Sequence, residues 1–334
     1  MNHRNVLVTG ANGFVGRAVC DYLAHKGHTV SGAARNPKTV PVVARPRLIG
    51  DLGPDTDWMD ALFNVDVVVH LAARAHVMSE DPETAAAAYA TVNTEGTLHL
   101  AEAAASAGIK RFIFVSTIKV NGESTDLRPF TELDVAMPAD PYAVSKWEAE
   151  MALWQVARAF KMEVVVLRPP LIYGPGVKGN FRSLLDLLNY RLPLPLGGIR
   201  NKRSLIFVGN LAGAIEVCLT HPHAPGETFL VKDDESLSTS KLIRRIDHAA
   251  GRRSRLFPVP RFILRLFGLL TGKSEAVARL TESLTVDDGR IRARLNWQPD
   301  FSTDHGLKET VLWHKKLLRD AKVRKRPPKK EPHP

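Results

Sequence analysis

Cysteine is nearly absent from this chain. Its two cysteines among 334 residues, Cys20 and Cys218, stand far apart in no metal or redox motif. That excludes a disulfide framework and a cysteine metal centre, and it fits a reduced cytoplasm, the expected location. No metal site is expected. Long apolar runs are missing too. The most apolar segment, Pro260 to Leu270, is far too short to cross a bilayer, so no membrane span is expected. That segment reads as a helix packed into a lobe, with interfacial membrane contact as the other reading. The opening residues Met1 to Val8 turn to glycine too soon for the core of a signal peptide. No internal repeat is present.

Acid is scarce relative to base. The net charge is +11, of which the segment Arg319 to Pro334 carries seven Lys/Arg against two acids. This segment reads as a solvated, disordered basic tail, and no nucleic-acid partner is expected from it. The remaining positive charge on the body suits an anionic ligand such as a nucleotide diphosphate.

What is present is regular alternation. Asn5 to Thr9 is a short buried strand. It is followed by Gly10-Ala11-Asn12-Gly13-Phe14-Val15-Gly16 and a helical pattern over Arg17 to His25. Glycines between a strand and a helix let the backbone approach a pyrophosphate, and the helix start supplies amides and positive dipole. Further strands are expected at His28 to Ala33, Leu48 to Leu52, Val65 to Ala73, Arg111 to Thr117 and Glu163 to Arg168. A long Ala-rich helix is expected over Glu83 to Ala107, with small faces suited to packing in a homodimer. His76 reads as core or loop.

An NAD site expects an acid near the end of the second strand. Ala34 and Arg35 stand there instead. An arginine there can pair with a 2′-phosphate, so the expectation leans to NADP over NAD. Asp51 ends the next strand and could accept from the adenine amino group.

Strands and helices alternate to Arg168, which predicts an α/β, doubly wound parallel-sheet Rossmann fold. The dinucleotide-binding domain is assigned to residues 1–172, with 204–222 returning to it. Residues 173–203 and 223–318, rich in Pro and Gly at first, form a smaller C-terminal substrate-binding lobe, and 319–334 the tail.

Tyr142 and Lys146 lie in Pro141-Tyr142-Ala143-Val144-Ser145-Lys146 at the start of a helical run, four residues apart and so on one helix face. A nearby ammonium lowers a phenol's pKa, and a general acid/base works best when its pKa nears the operating pH. The pair could move a proton on and off a sugar or alcohol oxygen.

Together these pieces resemble the extended short-chain dehydrogenase/reductases of the nucleotide-sugar epimerase/dehydratase family. The resemblance runs from about Asn5 to Trp313. It rests on Thr9 to Gly16, His70-Leu71-Ala72-Ala73, Asn93 with Gly96-Thr97, Ser116-Thr117, Tyr142 with Lys146, Arg168-Pro169 and Tyr173-Gly174-Pro175. The resemblance implies hydride chemistry at a sugar C4. Tyr142 would be the acid/base, Thr117 would share its proton through a short hydrogen bond, and Lys146 would hold the nicotinamide ribose and depress the tyrosine pKa. Gly10, Asn12, Gly13, Phe14, Val15 and Gly16 would carry the pyrophosphate, Asp51 and Leu52 the adenine. Leu71, Ala72 and Ala73 would line the cofactor, and Asn93 would position the catalytic segment. Asn180, Arg203 and Arg279 would bind the diphosphate of a UDP-sugar, with Thr117, Lys119 and Tyr142 at the sugar.

Family dehydratases place Asp-Glu directly after the catalytic threonine. This chain has Ile118 and Lys119. Neither can serve as the acid and base that loss of water requires, which argues against 4,6-dehydration. The reading expected first is 4-keto reduction of a UDP-4-keto-6-deoxy-N-acetylhexosamine in surface polysaccharide biosynthesis. The alternative is a UDP-glucose or UDP-N-acetylglucosamine 4-epimerase; a non-catalytic dinucleotide sensor is the alternative of another class.

Overall fold

The computed structural model describes residues 3–75 and 82–324. His76 and the last ten residues of the basic tail lie outside the described residues. The strands are β1 (Asn5–Thr9), β2 (Thr29–Ala34), β3 (Arg45–Leu48), β4 (Val67–His70), β5 (Arg111–Val115), β6 (Glu163–Arg168), β7 (Leu171–Tyr173), β8 (Leu205–Phe207) and β9 (Glu227–Leu230). The helices of the first half are α1 (Phe14–His25), α2 (Met59–Leu62), α3 (Pro82–Tyr89), α4 (Gly96–Ser106) and α5 (Pro141–Phe160). Those of the second half are α6 (Gly179–Asn189), α7 (Val208–Thr220), α8 (Thr239–Ala249), α9 (Arg261–Leu270), α10 (Ser274–Thr281), α11 (Gly289–Leu295) and α12 (Thr303–Arg324).

Seven strands form one parallel sheet in the order β3-β2-β1-β4-β5-β6-β9. Strand direction of travel reverses between β1 and β4, and ligands of such sheets bind at the carboxyl ends of the strands flanking that point. Successive side chains of a strand face opposite ways, and here both faces are apolar. Val6, Val8, Val165 and Leu167 meet Val19, Leu23, Leu211 and Ile215 of α1 and α7. Leu7, Val68, Val164 and Val166 meet Leu100, Ala104, Ala149 and Leu153 of α4 and α5. Burial on both faces is why these strands read as unbroken apolar runs. The doubly wound fold class expected from alternation is therefore the observed one.

A third core joins β7 and β8 to α6, α8, α9 and α12 around Tyr173, Phe181, Phe207 and Ile243. Phe14 and Val15, at the start of α1, pack against this same core, so the smaller lobe rests on the glycine turn.

Four expectations need correction. The third strand is Arg45–Leu48, not Leu48 to Leu52. It is an edge strand with largely exposed side chains and a proline at Pro46, so it carries no apolar signature, and an edge tolerates the missing N–H. The Ala-rich helix is not uniform: Ala90–Glu95 is a π-helical turn between α3 and α4. The last helix continues to Arg324, into the segment read as a disordered tail. Most consequentially, α9 packs into the lobe by one narrow edge only. Only Leu264 and Gly268 are buried, while six of its large apolar side chains are exposed.

Candidate active site

The site is built at the carboxyl ends of β1, β4 and β5. Gly10 follows β1 with φ +66°, and a Cβ there would come within 2.9 Å of the Ala72 backbone. Only glycine permits that approach. At Gly16 a Cβ would lie 2.1 Å from Gly10 O, so the third glycine sets the seating of α1 on the turn. Gly13 caps α1 without a side-chain hydrogen bond, leaving the first-turn amides of Phe14 and Val15 without a side-chain partner. Asn12 Nδ2 donates to Thr39 Oγ1 at 3.2 Å, and Arg17 donates to Asn12 O and Thr39 O, which ties the turn to the chain after β2. A bare helix start next to close-packed glycines is the donor chemistry of a dinucleotide pyrophosphate site. Ser116 Oγ, buried at the end of β5, has no hydrogen-bond partner among the described residues, so a polar group of a bound molecule would satisfy it. The residues present fit a nicotinamide dinucleotide.

Arg35 and Asp51, both drawn to the adenosine end, meet each other. Their side chains pair at 2.8 Å in an exposed position. Arg35, which follows β2, thus faces a carboxylate from the segment after β3. Leu52 is half-buried against the α4 face of the sheet, beside Gly96, where a Cβ would meet the Gly53 backbone at 3.2 Å.

Behind the glycine turn runs a wire of buried hydrogen bonds. Thr97 Oγ1 donates to Asn93 O at 2.6 Å, so it accepts from His70 Nε2 at 2.9 Å. His70 Nδ1 must then accept from Thr9 Oγ1 at 2.7 Å, and Thr9 Oγ1 accepts from the amides of Leu71 and Ala72. This assigns the Nε2–H tautomer. Burial, and to a lesser extent the charge of Lys146, push the His70 pKa down to about 3, so the ring is neutral. Sequence reading took His70 only as part of a motif; the polar ends it joins are distant in sequence.

Asn93 lies in the π turn and is buried. Its Oδ1 accepts from Arg74 N at 2.8 Å, and its Nδ2 donates to Ser145 Oγ at 3.0 Å. Ser145 Oγ donates to Tyr142 O at 2.9 Å. Asn93 is therefore tied to the first turn of α5 through Ser145. π turns are frequent at such functional positions.

α5 begins sharply because Asp140 caps it, accepting from Ala143 N at 2.7 Å, with Pro141 at the first helical position. Tyr142 is half-buried. Its ring meets Tyr89 of α3 edge-on, centroids 6.0 Å apart. Tyr89 was missed from sequence, although it sits four residues before Asn93 on the same helix. Lys146 is buried and its Nζ lies 3.9 Å from the Phe114 ring centroid. Desolvation drives the Lys146 pKa down to about 7, while Glu150 pulls the other way. Tyr142 moves oppositely: burial, then the charges of Asp140 and Tyr89, push it up to about 12. Burial and the neighbouring charges therefore outweigh any depression of the Tyr142 pKa by Lys146. Nor do Thr117 and Tyr142 share a short bond. Thr117 Oγ1 accepts from Lys119 N at 3.3 Å, capping the turn Ile118–Val120.

Lys119 Nζ is bound by Asp140 and by Glu123, the latter at 3.1 Å. Burial would lower its pKa, but those carboxylates outweigh it and the pKa is raised. The lysine is a firm cation at the position where the dehydratases carry acids. In the lobe, Asn180 is exposed in the first turn of α6. Arg203 is partly buried and donates to Glu282 O at 3.3 Å. Burial lowers its pKa and Arg279 adds to that by repulsion, against the opposing pull of Glu282. Arg279 itself pairs with Glu275 at 2.8 Å. Among the described residues no cluster of His, Cys, Asp or Glu could hold a metal ion.

A UDP-glucose 4-epimerase of Vibrio cholerae is 42% identical over 313 residues, covering 92% of this chain and 94% of its own. The fold matches the UDP-glucuronic acid 4-epimerase of Bacillus cereus in complex with NAD (TM-score 0.75, 22% identity, 94% of this chain and 99% of that one). It also matches the UDP-N-acetylglucosamine 4-epimerase of the same organism (TM-score 0.76, 20% identity, 93% and 99%). The model of the NAD dependent epimerase/dehydratase family matches residues 6–231, more than half of the chain, and this protein belongs to that family.

Proposed function

We propose that the protein is a UDP-hexose 4-epimerase that keeps NAD bound through its turnover. The observation that carries this is the setting of Tyr142 and Lys146. Both sit in the first turns of α5, held by Asn93 and Ser145 beside the glycine turn. Arg203 and Arg279 supply the anion site for the nucleotide diphosphate. Ile118 and Lys119 stand where water loss would need acids. The 42% identity to the Vibrio cholerae UDP-glucose 4-epimerase supports the reading over its alternative.

In this mechanism Tyr142 removes the C4 hydroxyl proton of the sugar. A bound NAD would supply the oxidising and reducing power for a reversible hydride exchange at C4. Tyr142 then gives the proton back. Thr117 would orient the same oxygen, and Lys146 would hold the nicotinamide ribose. Only the phenolate can take the C4 proton, so the raised pKa of Tyr142 must fall in the loaded site, where the positive charge of the nicotinamide would favour the phenolate. The Arg35 and Asp51 pair supports NAD over the NADP first expected, since a carboxylate there accepts from a ribose diol and opposes a 2′-phosphate. A homodimer remains part of the proposal, with the Ala-rich α4 and its partner α5 as the faces that meet.

The reading expected first, net reduction of a 4-keto UDP-sugar, uses the same Thr117, Tyr142 and Lys146. Product analysis separates the two. Incubation with UDP-glucose or UDP-N-acetylglucosamine and NAD is expected to interconvert the C4 epimers without net NADH. Stoichiometric consumption of reduced cofactor by a 4-keto UDP-sugar, with no epimer formed, would replace the epimerase by the reductase.

A further inference from the structure

We infer that α9 and the arginine-lined cleft beside it dock the protein onto an anionic phospholipid bilayer, lying on the surface without spanning it. α9 holds to the body by a narrow edge. Leu264 is buried, and Gly268 lies so close to α10 that a Cβ would come within 2.8 Å of Val277. The opposite side presents Phe262 (70% exposed), Leu266, Phe267, Leu269 and Leu270 (76% exposed). At about 100° per residue these fall on one broad arc of the helix. Exposed apolar patches of this kind mark interaction sites.

Charge identifies the partner. Between Gly251 and Lys273 the chain has six cations, Arg252, Arg253, Arg255, Arg261, Arg265 and Lys273, and no acid. Arg191, Arg252, Arg253 and Arg255 line a cleft of about 210 Å³ with one acid, Asp247, which Arg252 pairs at 2.6 Å, so arginine outnumbers acid there four to one. Only five residues separate Arg255 from the start of α9, and the bonds Leu194 N to Arg255 O and Phe257 N to Leu194 O fix the path between them. α12 brings further base to the same edge, where Lys315 Nζ donates to Ala250 O at 2.8 Å. An aromatic and aliphatic face bordered by arginines meets acyl chains and lipid phosphates together. Each cation near an anionic leaflet adds to the attraction. A second copy is the poorer occupant. A two-fold interface sets a patch against itself, and here it would face like charge with like.

The test is co-sedimentation of the full chain with vesicles of mixed phosphatidylglycerol and phosphatidylcholine, against phosphatidylcholine alone. Wild type is expected to partition at least about tenfold more strongly onto the anionic vesicles, with binding that weakens as salt rises. The double variant Leu266→Glu, Phe267→Glu is expected to lose about tenfold or more in partitioning. These side chains face solvent, so its melting temperature and its turnover of a water-soluble substrate should stay at wild-type values. Arg253→Ala with Arg255→Ala is expected to weaken binding and flatten the salt dependence. Wild type that stays in the supernatant overturns the inference. So does a Leu266→Glu, Phe267→Glu variant that binds as wild type does, since the basic tail alone would then be responsible. A concentration-dependent dimer that this variant abolishes, without vesicle binding by wild type, would assign the face to a second copy.

Discussion

Lys146 Nζ lies 3.9 Å from the centroid of the Phe114 ring, inside the protein. The ring face partly compensates the ammonium, but desolvation wins and the pKa falls to about 7. Between that value and the ordinary lysine range the unfolded chain binds a proton that the folded chain does not, so stability rises with pH across this window. Lys146→Met has no such proton. Urea unfolding at several pH values is expected to show wild-type stability gaining on the variant from about pH 7 upward. The gain is at most about 1.4 kcal/mol per pH unit. A pH-independent difference would mean that Lys146 stays charged in the folded protein.

His70 makes a second, oppositely placed window. Its folded pKa, about 3, lies below its ordinary value, so the stability it contributes is present above about pH 6.5 and is lost as pH falls toward 3. His70→Leu leaves the Thr9 hydroxyl without its acceptor and uncouples β1 from Asn93. A loss of about 2–4 kcal/mol is expected at neutral pH. The wild-type advantage should shrink on acidification, as read by denaturant titration.

Asp140 touches the chemistry without touching substrate. It caps α5, binds Lys119, and its charge helps to raise the Tyr142 pKa. Asp140→Asn keeps a competent cap and removes the charge. The rise of kcat/KM with pH is expected to shift to lower pH, with little change in melting temperature. An unmoved pH profile would remove Asp140 from the electrostatics of the site.

Asp51 decides the cofactor in this account. Asp51→Ala is expected to weaken NAD about tenfold, while Arg35, freed of its partner, improves the relative binding of NADP. Fluorescence titration with both dinucleotides checks this. Unchanged discrimination would return the choice to residues elsewhere.

The dinucleotide half of the fold was legible because its signals are local and redundant. Gly10, Gly13 and Gly16 fall between a strand and a helix, and β4 to β6 are apolar on both faces. The edge strand β3 was not legible, since Arg45–Leu48 has neither alternation nor an apolar run. In the site, spacing placed Tyr142 and Lys146 on one helix face but says nothing of their charge. Spacing reports neighbours, whereas the charge of Lys146 is decided by burial and by Glu150, which are tertiary facts. The same holds for α9. Its apolar residues predict a buried face, but they cannot say that only Leu264 and Gly268 find one.

The most direct measurement follows the C4 configuration of UDP-glucose by proton NMR with wild type and Tyr142→Phe, each supplied with NAD. The account predicts that wild type interconverts the two C4 epimers with no net NADH. It predicts that Tyr142→Phe, folded and still binding NAD, is slower by about 100-fold or more because no phenol remains to carry the proton. Interconversion by Tyr142→Phe at the wild-type rate would contradict it.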